Sequence, residues 1–338
     1  MVTGEINGLA EEEVFYQDGG SCPHEIWKVD PKTGEKVRIF HNDTLGFEVN
    51  NLVLSPSKEF LIFTFSFYDP IDGQTLLRSG LQMVRPDGSE LRTLVETEET
   101  NWAIDAPVWS PDSTRVAYLR AYLPDEGETP IQQLHVFSLR TGQDLVITPE
   151  GGLCDWSPDG NKIVYASRSR RGIYVVDLAS GSQKRLWEDA NLIFGWPAWQ
   201  PGGGHVAITV MNEEVDMPPS QAVGVYLLDV KSQERDKLSD ANTFRPRWSP
   251  DGQNLLYDVF VQGGGQLWLV GVSEGPPIQM LDKLVVLGTP SWSANGRVVL
   301  LTVAQTAYES YWVSIMAIED RSLARLVLTH AMRPQSTW

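Results

Sequence analysis

Cysteine is scarce. The 338 residues contain two, Cys22 and Cys154, and their spacing forms neither a CxxC pair nor a metal-ligand pattern. No thiolate centre organises this chain, and two cysteines neither demand nor forbid an oxidising compartment. Positive charge is also in short supply: 27 Lys and Arg against 44 Asp and Glu give a net charge of −17. That balance excludes nucleic acid and anionic membrane surfaces as partners of the molecule as a whole. Nothing approaches the ~18 consecutive apolar residues of a membrane span. The densest patch, Val298–Val303, has the length of a strand. The opening residues, Met-Val-Thr-Gly-Glu-Ile, lack a basic region followed by an apolar stretch, so no signal peptide is expected in this chain. What is present is ordinary for a folded protein: with 42% apolar and 21% charged residues, a core is available and wholesale disorder is excluded.

The informative feature is repetition. A turn of Trp-Ser-Pro-Asp-Gly character recurs as Leu54-Ser55-Pro56-Ser57, Trp109-Ser110-Pro111-Asp112 and Trp156-Ser157-Pro158-Asp159-Gly160. It continues as Trp199-Gln200-Pro201-Gly202, Trp248-Ser249-Pro250-Asp251-Gly252 and Trp292-Ser293-Ala294-Asn295-Gly296. Successive copies lie 55, 47, 43, 49 and 44 residues apart, each followed by a β-rich run such as Phe60–Phe67 or Leu255–Phe260. Pro presets φ near −65°, while Asp and Gly supply the side-chain hydrogen bond and the positive φ that reverse the chain. A four-stranded unit cannot bury both its faces alone, so the units must stack. Period, turns and strand content predict an all-β fold, a β-propeller of four-stranded antiparallel blades. The repeat tryptophans are expected in the core.

A second marker counts the blades. Outer hairpins are expected at Val29–Glu35, Arg85–Ser89, Leu139–Gln143, Asp177–Ser182, Asp229–Gln233, Gly271–Gly275 and Ile318–Ser322. Seven hairpins against six turn repeats leave one innermost strand missing. The chain begins at a second strand, Glu13–Gln17, after a flexible segment 1–11. Its last residues, His330-Ala331-Met332-Arg333-Pro334, align with Asn242-Thr243-Phe244-Arg245-Pro246, which leads into a first strand. The expectation is a single domain, 1–338, with seven blades (six as the alternative), closed by a C-terminal strand that joins the N-terminal blade and removes free sheet edges.

The Pro-x-Trp-Ser-Pro-Asp-Gly turn followed by a β run resembles the WD40-like, or PD40, repeat of TolB-like β-propellers. No Trp-Asp dipeptide closes any blade, unlike ordinary WD40 proteins, and strands begin by about residue 13 without the α/β domain that precedes the propeller of TolB itself. The resemblance implies a bacterial, extracytoplasmic protein. It also implies three styles of function: protein-binding platforms, propellers preceding the catalytic domain of prolyl oligopeptidase-type peptidases, and enzymes such as oligogalacturonate lyases.

Catalytic signatures are weak. An α/β-hydrolase needs a Gly-x-Ser-x-Gly elbow between a strand and a helix; none is expected here, and no segment has the helical period to complete one. His-Glu-x-x-His, P-loop and Gly-x-Gly-x-x-Gly patterns are missing, and the triplets Gly202–Gly204 and Gly263–Gly265 read as turns. Of five histidines, His135 and His205 fall within β runs and are expected to be packed. His24, His41 and His330 adjoin the stitched blade, where ring closure could bring them near one another; no metal is expected there, a divalent metal being the lesser alternative. No cofactor is otherwise expected. Asp69–Gly73 and Asp125–Glu128 lack the oxygen spacing of an EF-hand and read as hairpin tips.

Binding is expected on the loops, which vary while the hairpins stay regular. Residues just before each inner strand should ring a channel mouth: Asn51, Asp105, Leu153, Trp196, Arg245, Thr289 and Arg333. Trp102 and Trp196 are candidate contact residues. Glu213, Glu214 and Asp216 make one loop acidic, whereas Arg168, Arg170 and Arg171 add a basic spot. The leading expectation is a non-catalytic, monomeric propeller that engages a protein or peptide through its loop face. The alternative is an enzyme or a carbohydrate- or small-ligand-binding propeller with a site at the channel mouth, metal-dependent or not.

Overall fold

The computed structural model describes residues 12–18, 24–123, 130–211, 223–240, 243–261, 264–272, 275–281, 284–304, 311–329 and 336–337. Strands fall in chain order as β1 Val14–Asp18, β2 Glu25–Val29, β3 Lys36–His41, β4 Phe47–Leu54, β5 Leu61–Tyr68, β6 Leu76–Val84 and β7 Arg92–Thr97. Next come β8 Trp102–Trp109, β9 Arg115–Tyr122, β10 Ile131–Ser138, β11 Asp144–Thr148, β12 Cys154–Trp156, β13 Lys162–Ser167, β14 Gly172–Asp177 and β15 Gln183–Glu188. They continue with β16 Ile193–Trp199, β17 His205–Met211, β18 Gly224–Asp229, β19 Arg235–Ser239, β20 Thr243–Trp248, β21 Asn254–Val261, β22 Gly264–Gly271 and β23 Ile278–Gln279. The last are β24 Val285–Trp292, β25 Val298–Ala304, β26 Tyr311–Ala317, β27 Leu323–Thr329 and β28 Ser336–Thr337. Among the described residues no helix is long and apolar enough to cross a membrane.

The chain forms two compact units, Met1–Pro107 with Tyr118–Ile131 and Leu284–Trp338, and Val108–Ala117 with Gln132–Lys283. The first contains the sheets β28-β1-β2-β3 and β4-β5-β6-β7; the second contains β12-β13-β14-β15 and β16-β17-β18-β19. A further sheet runs β11-β10-β9-β8. The second unit also holds β20-β21-β22 with β23 beside β22, and the first also holds β24-β25-β26-β27. β23 has two residues and covers only Trp268 and Leu269 on the edge of β22.

Turn chemistry explains the regularity. In the repeat, the Ser Oγ donates to the carboxylate or amide two residues on, at 2.5 Å for Ser110–Asp112, Ser157–Asp159 and Ser249–Asp251 and 2.8 Å for Ser293–Asn295. The same Oγ accepts the backbone N–H five residues on, as from Lys162 at 2.9 Å. Left-handed φ follows at Gly160, Gly252 and Gly296, and also at Lys58 and Ser113, where the copies lack glycine. All seven expected outer hairpins are present as antiparallel pairs.

The cores lie between consecutive sheets. Val164, Ile173, Trp199, Val206 and Leu228 pack β13–β14 against β16–β18, and Val14, Tyr16, Leu300 and Val313 pack β1 against β25–β26. A strand with a core on both faces carries a continuous apolar run, as β25 does with every residue buried. Of the repeat tryptophans, Trp109, Trp156, Trp199 and Trp248 are buried, and Trp292 is half-buried. Trp156 Nε1 donates to Val108 O and Trp248 Nε1 to Ala198 O, each at 3.0 Å, so each indole ties its inner strand to the preceding one.

Close packing extends to the backbone. A Cβ on Gly152, just ahead of β12, would stand 1.7 Å from the carbonyl oxygen of Ala166. Gly152→Ala is therefore expected to cost about 1–3 kcal/mol through forced displacement of β13. A lowered urea midpoint at unchanged slope checks this; an unchanged midpoint would contradict the contact.

Candidate functional site

The inner strands do not start where the sequence suggests. Asn51, Asp105, Trp196, Arg245 and Thr289, expected just before them, lie inside β4, β8, β16, β20 and β24; only Leu153 precedes its strand, β12. For Asn51, Trp196, Arg245 and Thr289 the cause is an irregularity in the ladder, between Asn50 and Val53, Gly195 and Ala198, Phe244 and Arg247, and Leu287 and Ser291. In three of these four cases a proline (Pro197, Pro246, Pro290) falls in the break, where it has no N–H to give the ladder. Left-handed φ at Asn51 (52°), Ala106 (49°), Trp196 (39°) and Arg245 (50°) then re-aims the side chains. Bulges of this kind serve that purpose beside functional sites.

In the first unit the candidates are engaged with one another. Asn51 Nδ2 donates to Asp105 Oδ1, and to Thr64 Oγ1 at 2.9 Å. Trp102 lies under the Arg120 guanidinium, 4.5 Å from the ring centroid, and beside Tyr122. Two acidic-loop residues are paired with arginines, Glu99 with Arg120 and Glu96 with Arg78.

In the second unit the inner strands assemble four charges. Arg245 directs both Nε (2.8 Å) and Nη2 (2.6 Å) at Asp258 Oδ2, leaving Oδ1 of that buried carboxylate without a hydrogen-bond partner. Asp155 accepts the backbone N–H of Trp156 at 2.9 Å and of Trp199 at 2.7 Å. Arg247 acts electrostatically on both carboxylates. Asp155, Arg245 and Arg247 are hemmed in by protein yet only half-buried, so water reaches them. Burial pushes Asp155 up to about 6 against the two backbone hydrogen bonds and the Arg247 charge. Burial likewise pushes Asp258 up to about 6 against Arg245 and Arg247. Burial lowers the Arg247 pKa despite Asp155. Carboxyls poised near neutrality beside an arginine pair can exchange protons and hold an anion. Trp196 stacks edge-on against Phe244 beside them, with centroids 5.1 Å apart.

The basic loop has another role. Arg170 Nε lies 3.0 Å from Glu150 Oε2, and its guanidinium sits 4.0 Å above the Tyr174 ring and contacts Gln183 and the Tyr165 hydroxyl. It clamps the β13–β14 turn, while Arg168 is exposed and Arg171 adopts a left-handed φ of 45°. Glu213, Glu214, Asp216, Arg333 and His330 lie outside the described residues, as do Cys22 and Asp125–Glu128. His135 is buried against Asp144 at 2.9 Å, and His205 bonds Gln200 at 3.0 Å, as expected of packed histidines. His24 and His41 do converge, with ring centroids 5.6 Å apart. Asp69 and Asp72 accept backbone N–H groups within their own loop.

Contrary to the expectation that no such motif occurs, Gly271-Val272-Ser273-Glu274-Gly275 has the Gly-x-Ser-x-Gly form. It falls in sequence between β22 and β23, an antiparallel pair rather than a strand and a helix, and Ser273 and Glu274 lie outside the described residues.

The family model described as PD40, TolB beta propeller domain, matches residues 134–338. The uncharacterized peptidase YuxL of Bacillus subtilis is 24% identical over 202 residues, which cover 58% of this chain and 28% of that protein. The chain thus spans little more than a quarter of that curated relative. Among solved structures, a puromycin-hydrolyzing peptidase of Mycobacterium tuberculosis superposes with a TM-score of 0.67 at 11% identity, covering 95% of this chain and 52% of that one. Oligogalacturonate lyase in complex with manganese gives 0.62 at 13% identity, covering 92% and 89%. These likenesses establish the propeller fold. They also correct the leading expectation of a non-catalytic protein-binding platform, since peptidases and a lyase are what the chain is similar to.

Proposed function

Because the chain belongs to the TolB β-propeller domain family, we propose that it is a seven-bladed propeller serving an enzymatic reaction, holding its ligand by a carboxylate at the inner strands. The carrying observation is the enclosed group of Asp155, Arg245, Arg247 and Asp258, with two carboxyls displaced to about 6. Seven outer hairpins and the pairing of β28 with β1 support seven blades, one domain over residues 1–338 and closure by the C-terminal strand. The extracytoplasmic location implied by the family resemblance belongs to the same reading.

An oligopeptide and an oligouronate share a carboxylate, and the neighbours' names point to both. Calorimetric titration distinguishes them, with galacturonate oligomers in one arm and short peptides with free C-termini in the other. One arm should show saturable binding that Arg245→Gln weakens at least about tenfold, the loss expected from a charged hydrogen bond. Arg245→Lys keeps the charge but loses the fork, and should fall between. Binding in neither arm, or binding indifferent to Arg245, would sink the reading.

A further inference from the structure

We propose that His24, Glu25 and His41 bind a divalent transition-metal cation of the zinc type at the start of β2 and the end of β3. This site is separate from the inner-strand charges and does not depend on the function proposed for them. Glu25 and His41 are direct partners in the antiparallel β2–β3 register, so their side chains leave the same face side by side. His24 stands one residue ahead of β2 and is pinned on both sides: its N–H donates to Asp18 O at 3.2 Å, and its carbonyl accepts Asn42 N–H at 3.1 Å. One donor atom from each of the three residues lies within 4.8 Å of the others. Zinc–nitrogen bonds of about 2.0–2.1 Å set tetrahedral edges of roughly 3.3 Å, so small side-chain rotations bring the atoms to bonding positions.

The surroundings of His41 support a cation. Its Nε2 lies 2.8 Å from Asp43 Oδ1, where a ring N–H is donated to the carboxylate. Nδ1 then keeps its lone pair. That atom is shielded from water, has no hydrogen-bond partner and stands 3.1 Å from Glu25 Oε1. Atoms that close call for a positive centre between them, a proton or a metal cation, beyond the Arg38 Nη1 that donates to the same Oε1 at 3.1 Å. An imidazole backed by a carboxylate is also how proteins orient metal-ligating histidines. Glu25 accepts hydrogen bonds from Trp27 Nε1 at 2.8 Å and Arg38 Nη1 at 3.1 Å, which fix its carboxylate beside His41. Two imidazoles and one carboxylate suit zinc better than calcium or magnesium, which take oxygen shells. Three protein ligands leave a fourth position for water.

The test uses the full chain stripped with a chelator. Zinc is titrated against a chromogenic chelator, with calcium and magnesium in parallel, and cobalt serves as a spectroscopic reporter. One equivalent of zinc should bind, cobalt should show the intense visible bands of a tetrahedral site, and His24→Ala and His41→Ala should each abolish both signals. Asp43→Asn, outside the ligand set, should weaken binding about 10–100-fold while leaving the apo unfolding midpoint nearly unchanged. Absence of saturable zinc binding would overturn the proposal in favour of a proton on His41 Nδ1. Equal zinc affinity in the His24→Ala/His41→Ala double variant would overturn it too.

Discussion

Asp155→Ala is expected to cost about 1–3 kcal/mol of stability, the range for leaving hydrogen-bonded groups without their partner. Three losses add up at this position. The backbone N–H groups of Trp156 and Trp199 lose their acceptor, and Arg247 loses an opposing charge. Trp199 begins the next repeat turn, so the lost bond also loosens the tie between β12 and β16. Asp155→Asn keeps the shape and one acceptor oxygen, and should cost less than the alanine variant. Denaturant midpoints for the two variants at pH 7 check the order; equal costs would show that the retained oxygen contributes nothing and that the second oxygen and the charge carry the whole effect.

The same carboxyl predicts a pH dependence of unusual sign. Asp155 and Asp258 titrate near 6 in the folded chain, against about 3.9 when unfolded. Between those values the folded state holds protons that the unfolded state has released, so stability falls as pH rises from about 4 to 6. The turn carboxylates act oppositely. Hydrogen bonds from the Ser157 hydroxyl and Asn161 N–H lower Asp159, and those from Ser249 and Gln253 lower Asp251. Their contribution is present above about pH 4 and lost as pH falls through their depressed values. Maximum stability is therefore expected near pH 4–5. Asp258→Asn should flatten the decline from pH 4 to 6, and a variant that declines as steeply as the parent would refute the assignment.

The local turns were legible in the sequence because they are local. Ser157, Asp159 and Gly160 complete their hydrogen bonds within six residues, so pattern alone predicts them. The seven hairpins could be read for the same reason; His24 and His41 meet through the β2–β3 hairpin register rather than through the ring closure expected to bring them near one another. The inner-strand charges could not be read. Asp155, Arg247 and Asp258 come from three strands up to 103 positions apart, and their displaced pKa values arise from burial, which no motif encodes. The ladder breaks were half visible: Pro197 and Pro246 mark where a hydrogen bond must be missing, but not that the strand continues past them. Arg170 misled because a run of three arginines in four residues looks free until Glu150, Tyr174 and Gln183 surround one of them.

Removal of Ser336–Trp338 is expected to destabilise the chain most broadly. β28 pairs Thr337 with Phe15 and Ser336 with Tyr16, and Thr337 Oγ1 lies 3.4 Å from the Leu54 N–H. Without it, β1 becomes an open edge whose residues Val14, Phe15 and Tyr16 are now at most 1% exposed. Each such side chain contributes about 1.5–3 kcal/mol while fully buried, and partial exposure of three reaches a large fraction of the ~5–15 kcal/mol that holds a typical domain. An unpaired apolar strand also templates association. The truncated chain should melt well below the full chain and elute partly as aggregates. Thr337→Pro isolates the cause, since it removes a ladder donor while keeping the length. If the truncated and full chains melt together, β28 does not close the first sheet in solution. The seven-bladed ring would then have to be replaced by an open array.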